Sequence, residues 1–309
     1  MSGVLVGLDI GGTKTAIRAE TPEGTLAWEA VEPSGDWSAG PVAAAARWIE
    51  ALVGRHTPAG QTVLAVGAGA QGCDTEQHCR DLADALRARL GVPCAVTNDA
   101  ALLVSAAGLE EGIGVIAGTG SIAVAVGRDG GLSFAGGWGW VIGDEGSAAG
   151  LVREAVKVAL ARDDAGGAPD VLLPLLMDGF QVTAPAALAR AVNDNPAAGY
   201  WADRAPVVFE AARRGSADAT EVIETGGRRL AGLVGTLVSR GAVATEVVTG
   251  GSVFVRQPML FHAFQDALAE RHPRLPIRLM RKPPVRGAVV LARRALDRLV
   301  PVPGDEPSP

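Results

Sequence analysis

The sequence predicts an α/β protein made of two related domains, each with a mixed sheet flanked by helices. Short apolar segments typical of strands alternate with longer amphipathic segments typical of helices along the chain. The order strand, glycine turn, strand, glycine turn, strand occurs from Val4 and again from Ile113. At 309 residues, the chain is also longer than a typical single domain.

The first repeat begins with three strands that we expect to form an antiparallel meander. They are predicted at Val4–Asp9, Thr15–Glu20 and Thr25–Val31, with glycine turns between them. The segments after them predict helices at Pro41–Arg55, Thr75–Leu90 and Ala100–Ala107, and strands at Thr62–Gly69 and Val92–Thr97. Thr75 and Gly91 are typical residues for the start and the end of the second helix.

The second repeat has the same order of elements and is followed by a largely helical region. Its strands are predicted at Ile113–Ala117, Ile122–Gly127 and Leu132–Ala135. Later elements are helices at Ser147–Arg162, Leu172–Phe180, Pro185–Val192, Ala205–Arg214, Asp218–Arg240, Pro258–Arg271 and Arg286–Leu299, and strands at Glu246–Val248 and Ile277–Leu279. We expect a loop over Asn193–Arg204 and disorder in the tail Pro301–Pro309.

Composition limits the classes of function. Net charge is −6 and the basic residues are scattered, which argues against nucleic-acid binding. The apolar run Val4–Ile10 is too short to span a membrane and lacks the preceding basic residues of a signal peptide. Three cysteines without a CxxC pair or zinc-ligand spacing fit reduced thiols, so we expect a cytoplasmic protein. The P-loop motif and the GxSxG motif are both absent from the sequence.

The turn after the first strand carries Asp9, Gly11, Gly12, Thr13 and Lys14. Consecutive backbone N–H groups with little side chain over them bind anions such as phosphate. A carboxylate at the strand end could hold Mg²⁺ through water beside such a phosphate. The alternative is an ordinary Gly-Gly hairpin closed by an Asp that tolerates turn geometry.

Two more glycine turns follow strands later in the chain. Gly118-Thr119-Gly120-Ser121 has the same place in the second repeat as the first turn, which favours a polyphosphate held by both turns. Thr249-Gly250-Gly251-Ser252 follows a later strand, and there the residues fit a plain turn and a nucleotide contact equally well.

Asn98 and Asp99 stand where a strand is followed by a helix. Asp is a favoured N-cap residue, so helix capping alone would explain its presence. The other interpretation is a general base that accepts the proton of an attacking hydroxyl group. The residues alone leave both interpretations open.

A glycine-rich loop with two tryptophans, Gly136-Gly-Trp-Gly-Trp-Val-Ile-Gly-Asp-Glu-Gly-Ser147, precedes the first long helix of the second half. Its acidic residues could simply complement the dipole of that helix. Tryptophans in a polar loop are costly unless they pack on something. A sugar ring, with apolar faces and a rim of hydroxyl groups, would suit Trp138 and Trp140 together with Asp144.

These motifs resemble those of the sugar kinase, heat-shock 70 and actin superfamily. Within it, the chain is similar from Val4 to Leu296 to the N-acetylglucosamine kinase branch of the BadF/BadG/BcrA/BcrD ATPase family. Much of the superfamily shares Asp9-Ile-Gly-Gly-Thr-Lys-Thr15, whereas Gly136–Ser147 resembles the substrate loop of that branch. The resemblance implies a two-domain, actin-like (ribonuclease H-like) fold with its active site in the interdomain cleft. The implied domains are residues 1–114 plus 286–300 and residues 115–285, followed by the tail 301–309.

The resemblance also implies roles for individual residues. Asp99 would be the catalytic base, Thr13 and Thr119 would contact the phosphates of ATP, and Asp9 would hold Mg²⁺ through water. The other implied contacts are to the nucleotide, from Gly11, Gly12, Lys14, Ala212, Gly250 and Gly251, and to the sugar, from Asp36, Asn98, Ser121, Ile122, Gly137, Trp138, Gly139 and Asp144.

The implied activity is ATP-dependent phosphorylation of the 6-hydroxyl group of N-acetylglucosamine, with ATP and Mg²⁺ as cofactors. The expected partners are an amino sugar and ATP, with no nucleic acid and no membrane, and a homodimer remains open. Asp36 stands where these kinases often carry Asn, so glucosamine is an alternative acceptor. A sugar-responsive or regulatory ATPase of the same fold is a further alternative.

Two other groups with this fold fit less well. The repressor/open-reading-frame/kinase family shares the opening motif, but its Cys-rich zinc motif is missing from this sequence. The iron–sulfur activators of acyl-CoA dehydratases need cysteines that bind a cluster, and Cys73, Cys79 and Cys94 do not have a convincing arrangement for one.

Overall fold

The computed structural model describes residues 3–281 and 284–298. It has two five-stranded sheets with helices around them, which confirms the predicted α/β class. The strands are β1 (Gly3–Ile10), β2 (Lys14–Glu20), β3 (Leu26–Pro33), β4 (Thr62–Ala70), β5 (Cys94–Thr97), β6 (Gly112–Ala117), β7 (Ser121–Val126), β8 (Leu132–Gly136), β9 (Val247–Gly250) and β10 (Ile277–Leu279).

The helices come between and after these strands. They are α1 (Val42–His56), α2 (Glu76–Leu90), α3 (Ala101–Ala106), α4 (Ala148–Asp164), α5 (Leu172–Gly179), α6 (Pro185–Asn193), α7 (Ala198–Ala202), α8 (Ala205–Arg213), α9 (Ala217–Ser239), α10 (Ser252–Arg256), α11 (Pro258–Arg271) and α12 (Val285–Asp297). Among the described residues, no helix is long and apolar enough to cross a lipid bilayer.

The first sheet has the strand order β3-β2-β1-β4-β5. Strands β1, β2 and β3 form the antiparallel meander that the sequence predicts, and β4 and β5 continue the sheet parallel to β1. Thr75 caps α2 by accepting a hydrogen bond from the backbone N–H of His78, and Gly91 ends the helix in a left-handed conformation, as predicted.

The second sheet has the order β10-β9-β6-β7-β8, which is the same plan. Strands β6, β7 and β8 match β1, β2 and β3. Strands β9 and β10 lie parallel to β6 as β4 and β5 lie parallel to β1. The internal repeat therefore extends over five strands, beyond the three-stranded meander recognised in the sequence.

The chain divides into two compact units. The first contains the described residues of Met1–Glu110, Arg128–Leu132 and Lys282–Pro309, and the second contains Glu111–Gly127 and Ser133–Arg281. Each unit has its own core of buried apolar side chains from sheet and helices. In the first unit, α12 packs against β1 and β4, where a Cβ on Gly67 would lie 2.0 Å from the backbone oxygen of Ala288. Glycine is therefore required for this close approach.

Two short helices were not predicted. The expected loop Asn193–Arg204 contains α7, and α10 follows the third glycine turn. Both helices have five residues, too few to show a helical period in the sequence. Packing stabilises α7, because the Trp201 ring lies 4.8 Å from that of Trp140 and its Nε1 donates to the Asn195 oxygen. The predicted disordered tail and Leu299 lie outside the described residues.

Candidate active site

Three parallel strands of the first unit end side by side and bring acidic residues together. The register places Asp9 on β1 level with Gly69 on β4, and Gly69 level with Thr97 on β5. Asp99 follows β5 by two residues. Because the carboxyl ends of parallel strands lie at one edge of a sheet, this edge is a common place for binding and catalysis.

Burial strongly affects the two carboxyl groups at this edge. It raises the pKa of Asp9 from 3.8 to about 7, and the positive charge of Lys14 opposes the rise only in part. It raises the pKa of Asp99 from 3.8 to about 8, with further increases from the negative charges of Asp9 and Asp74. Hydrogen bonds to the backbone N–H groups of Ala100 and of Asp99 itself oppose this second rise. Carboxyl groups with pKa values near neutrality are typical of acid–base sites.

The side chains of Asn98 and Asp99 share one backbone donor. The Ala100 N–H donates to Asn98 Oδ1 at 2.9 Å and to Asp99 Oδ1 at 3.1 Å. Asp99 is 8% exposed and Asn98 only 1%. Ala100 is the N-cap residue of helix α3. Asp99 therefore does not have the N-cap position that the helix-capping interpretation requires.

The first glycine turn joins β1 to β2 and has an open backbone. The Gly11 N–H donates to the Lys14 oxygen at 3.1 Å, and the Ser34 hydroxyl donates to the Gly11 oxygen at 2.6 Å. Gly12 is exposed, and a Cβ there would lie 3.0 Å from Gln71 Oε1. Residues 12–14 are exposed, so this turn is accessible to an anion such as phosphate.

Asp36 lies exposed in the loop that leads from β3 to α1. Hydrogen bonds on its C-terminal side fix this loop to the segment after β4. Trp37 Nε1 donates to the Gln71 oxygen at 3.1 Å, and His78 Nε2 lies 2.9 Å from the Ala39 oxygen. The Asp36 loop is thus tied to the same strand edge as Asp9 and Asp99.

In the second unit, the turn over residues 118–120 contacts two other predicted segments. The Ala148 N–H at the start of α4 donates to the Gly118 oxygen at 2.8 Å. Gly251 has a φ of 97°, and a Cβ there would lie 2.4 Å from the Ala117 oxygen. The third glycine turn therefore lies directly against the second, although the sequence did not decide between a plain turn and a nucleotide contact.

Both ends of the glycine–tryptophan loop are bonded to Ser121. The Ser121 hydroxyl donates to the Glu145 oxygen at 3.0 Å, and the Ser121 backbone oxygen accepts from the Gly137 N–H at 3.2 Å. Asp144 is buried beside Gly120 with a φ of 57°, a conformation that Asp tolerates and that is frequent at functional sites. Trp138 remains 75% exposed, so its ring is available to a ligand.

Arg153 on α4 holds the middle of this loop. Its guanidinium donates to the backbone oxygens of Trp140 and Gly143, the latter at 2.9 Å, and its Nε donates to Glu154 at 2.7 Å. Within the loop, the Gly143 N–H donates to the Gly139 oxygen at 2.8 Å. Three anchors therefore define the loop: Ser121 at its two ends and Arg153 at its centre.

The structure gathers the predicted residues into one group in each unit. The first unit brings together the first glycine turn, the Asp36 loop and the Asn98–Asp99 pair. The second brings together the residue 118–121 turn, Ile122, the glycine–tryptophan loop and the Gly250–Gly251 turn. Ala212 lies on α8 in the second unit. Each assigned role in binding or catalysis stays a prediction.

Two residues that contact these groups were missed in the sequence. Asp74 follows β4 and accepts a hydrogen bond from Asn98 Nδ2 at 2.9 Å. Its position after a strand parallel to β1 and β5 was a usable signal, because polar residues that follow adjacent parallel strands lie at the same edge. Arg153 carried no signal, since its partners are backbone oxygens of a loop.

A match to a protein-family model shows which family this chain belongs to. The model of the BadF/BadG/BcrA/BcrD ATPase family matches residues 6–291. The chain belongs to this family. A relative from Clostridium acetobutylicum named N-acetylmuramic acid/N-acetylglucosamine kinase is 27% identical over 305 residues, covering 95% of this chain and 99% of the relative. The N-acetyl-D-glucosamine kinase of Dictyostelium discoideum is 25% identical over 312 residues, covering 94% and 97%.

Solved structures of this fold include several sugar kinases. One from Chromobacterium violaceum, provisionally assigned as an N-acetylglucosamine kinase, has a TM-score of 0.72 at 26% identity, covering 94% of this chain and 98% of that chain. A ROK family glucokinase of Streptomyces griseus, solved with glucose and AMPPNP, has a TM-score of 0.57 at 20% identity, covering 94% and 100%. The second likeness shows the fold alone. Together these structures support the predicted actin-like architecture.

Proposed function

We propose that this member of the ATPase family is an amino-sugar kinase that transfers the γ-phosphoryl group of ATP to the 6-hydroxyl group of N-acetylglucosamine. The observation that carries the proposal is the Asp99 carboxyl group, buried at the end of β5 with a pKa raised to about 8 beside Asp9. The names of both full-length relatives include N-acetylglucosamine kinase activity, which supports the choice of acceptor.

In this reaction, Asp99 accepts the proton of the sugar hydroxyl group as its oxygen attacks the γ-phosphorus. A new O–P bond forms, the bond between the γ-phosphorus and the bridging oxygen breaks, and ADP leaves with the bond's electron pair. A raised pKa makes Asp99 a stronger base in its ionised form. The Thr13 and Thr119 turns would hold phosphate oxygens through backbone N–H and hydroxyl groups.

The buried carboxyl pair at the strand edge fits a magnesium ion that is held mainly through water. Asp9 and Asp99 lie close enough for the charge of Asp9 to raise the pKa of Asp99, and the described residues include no group of three or more Asp, Glu, His or Cys side chains that could ligate a metal directly. Carboxylate oxygen is the ligand type that Mg²⁺ prefers, and the ion commonly keeps several waters. Asp9 would hold it through water, and when bound it would neutralise charge on the phosphates.

The sugar would be recognised by the glycine–tryptophan loop and by the Asp36 loop. Trp138 offers an exposed ring for an apolar sugar face, and Asp144 offers a carboxylate for hydroxyl groups. Asp36 can accept a hydrogen bond from an acetamido N–H group. Both relatives are named for N-acetylated sugars, so N-acetylglucosamine is favoured over glucosamine as the acceptor.

The test is ADP release measured with a panel of hexoses and amino sugars, with kcat/KM determined for each. We expect the highest value with N-acetylglucosamine and little ADP release without sugar. Asp99→Asn should bind sugar but lose most of its kcat, by about 10²-fold or more. Asp84→Asn, an exposed carboxyl on α2, is the matched control. ADP release that no sugar stimulates would favour a regulatory ATPase and overturn the proposal.

A further inference from the structure

Asp74 lies close enough to the proposed base for its charge to raise the pKa of Asp99, and the proposed kinase chemistry gives it no part. It follows β4 and is half-buried, and burial raises the pKa of its carboxyl group, opposed by His78 and by the hydrogen bond from Asn98. A carboxylate in such surroundings costs free energy unless it is well paired. Its partner is Asn98 Nδ2, at 2.9 Å.

The Asn98 side chain is held at both of its ends. Its Nδ2 donates to the Cys73 oxygen at 3.3 Å and to Asp74 Oδ1, so both amide hydrogens have acceptors. Its Oδ1 accepts from the Ala100 N–H, the same donor that binds Asp99 Oδ1. Asp74 and Asp99 are therefore connected through Asn98 and one backbone N–H group.

The Asp74 carboxyl oxygen strengthens one orientation of the Asn98 amide. Only the NH₂ end can donate to it, so the oxygen end faces the Ala100 N–H. Without Asp74, the NH₂ end would keep only the longer hydrogen bond, 3.3 Å, to the Cys73 oxygen. The amide would then be held less tightly, and so would the turn that carries Asp99.

We propose that Asp74 is a positioning residue for Asp99, acting through the fixed amide of Asn98. The proposal rests on the kinase function proposed above. A base must be held within a fraction of an ångström of the hydroxyl proton that it accepts, and misplacement by about 1 Å can cost about 10²-fold in rate. A residue that acts in this way affects kcat more than the KM of either substrate.

The experiment compares Asp74→Ala with Asp74→Asn in the full chain. Asn keeps an oxygen that can accept from Asn98 Nδ2, whereas Ala removes the acceptor. We expect Asp74→Ala to lower kcat about 10- to 100-fold with sugar and ATP KM values within about threefold of wild type, and Asp74→Asn to retain kcat within about threefold. Thr75→Ala is the structural control, because it removes the cap of α2 next to Asp74 without touching Asn98.

Three kinetic outcomes would overturn the proposal. Equal losses in Asp74→Asn and Asp74→Ala would mean that the hydrogen bond to Asn98 is not what matters. A rise in sugar KM with unchanged kcat would make Asp74 a substrate contact. A loss of kcat in Thr75→Ala as large as in Asp74→Ala would assign the effect to general destabilisation of this turn.

Hydrogen exchange separates this proposal from the kinase proposal. In Asp74→Ala, a peptide that includes the Ala100 amide should exchange about fivefold faster, while Asp74→Asn and Thr75→Ala keep the wild-type rate. If the wild-type protein phosphorylates no sugar but shows this exchange pattern, the kinase function fails and the link from Asp74 to Ala100 stands. If exchange is unchanged in Asp74→Ala, the link fails whatever the activity.

Discussion

Replacing the proposed base should make the protein more stable, and the size of the effect follows from its pKa. Asp99 has a pKa of about 8 in the folded protein, against 3.8 for the ordinary side chain. At about 1.4 kcal/mol per pKa unit, the difference corresponds to an upper limit of about 6 kcal/mol of folding free energy lost when the group ionises. The buried amide of Asn also needs hydrogen-bond partners, which offsets part of this difference, so we expect a gain of about 2–4 kcal/mol for Asp99→Asn at about pH 8.5.

The sign of the pH dependence follows from the raised pKa. A group with a higher pKa in the folded state binds protons more strongly there, so its contribution to stability is full below the unfolded pKa of 3.8 and is lost as pH rises through about 8. Asn has no such loss and keeps an oxygen for the Ala100 N–H. The stability gain of Asp99→Asn should therefore be smaller by about 2 kcal/mol at about pH 6 than at about pH 8.5.

Urea unfolding in EDTA at both pH values measures this gain directly. Asp84→Asn is the control, because the Asp84 side chain is 68% exposed and its change should alter stability by less than about 0.5 kcal/mol. If Asp99→Asn is no more stable than the wild type at about pH 8.5, ionisation of Asp99 does not destabilise the folded protein, and the pKa of Asp99 is not raised by burial.

Three further predictions concern substrate binding. Thr13→Ala should raise the KM for ATP about tenfold through loss of a hydrogen bond to a charged phosphate, while Thr25→Ala, outside the turn, should leave it unchanged. Arg153→Met should raise the KM for N-acetylglucosamine about tenfold, because the glycine–tryptophan loop loses the hydrogen bonds at its centre. An unchanged KM would show that the hydrogen bonds to Ser121 are sufficient to hold this loop in place. Asp36→Asn should raise the ratio of kcat/KM for N-acetylglucosamine to that for glucosamine, and a ratio that falls would contradict contact between Asp36 and the 2-substituent.

The sequence predicted the parts of the fold that local chemistry determines. Glycine turns, strand alternation and the Thr75 and Gly91 ends of α2 agree with the structure, because each depends on residues close together in the chain. The helix α7 was missed because its stability comes from Trp201 packing on Trp140, more than sixty residues away. Contacts of this kind leave no periodic signal in a five-residue segment.

The candidate site shows the same division. Asp9, Asp99 and the glycine turns were recognisable, since each combines a distinctive residue type with the end of a predicted strand. Asp74 and Arg153 act on the backbone or on the side chain of another candidate residue, and such contacts depend on tertiary structure. In the sequence alone, an Asp before a helix is explained by the helix start and an Arg on a helix by a solvent-exposed face. Neither pattern therefore indicates a contact with the site.

Sheet register shows how one repeated topology places different residues at matching positions. On β4, Gly69 pairs with Asp9 of β1; at the matching place on β9, Gly250 pairs with Ile116 of β6. The position that carries a carboxylate in the first unit therefore carries an aliphatic side chain in the second. The first unit has acidic groups at its strand ends, suited to a base and a cation, whereas β6 and β9 are followed only by glycine-rich turns, suited to phosphate oxygens. The proposed phosphoryl transfer needs both environments. Ile116→Asp should therefore raise the KM for ATP, because a carboxylate at this position would repel the phosphates that we assign to the adjacent turn.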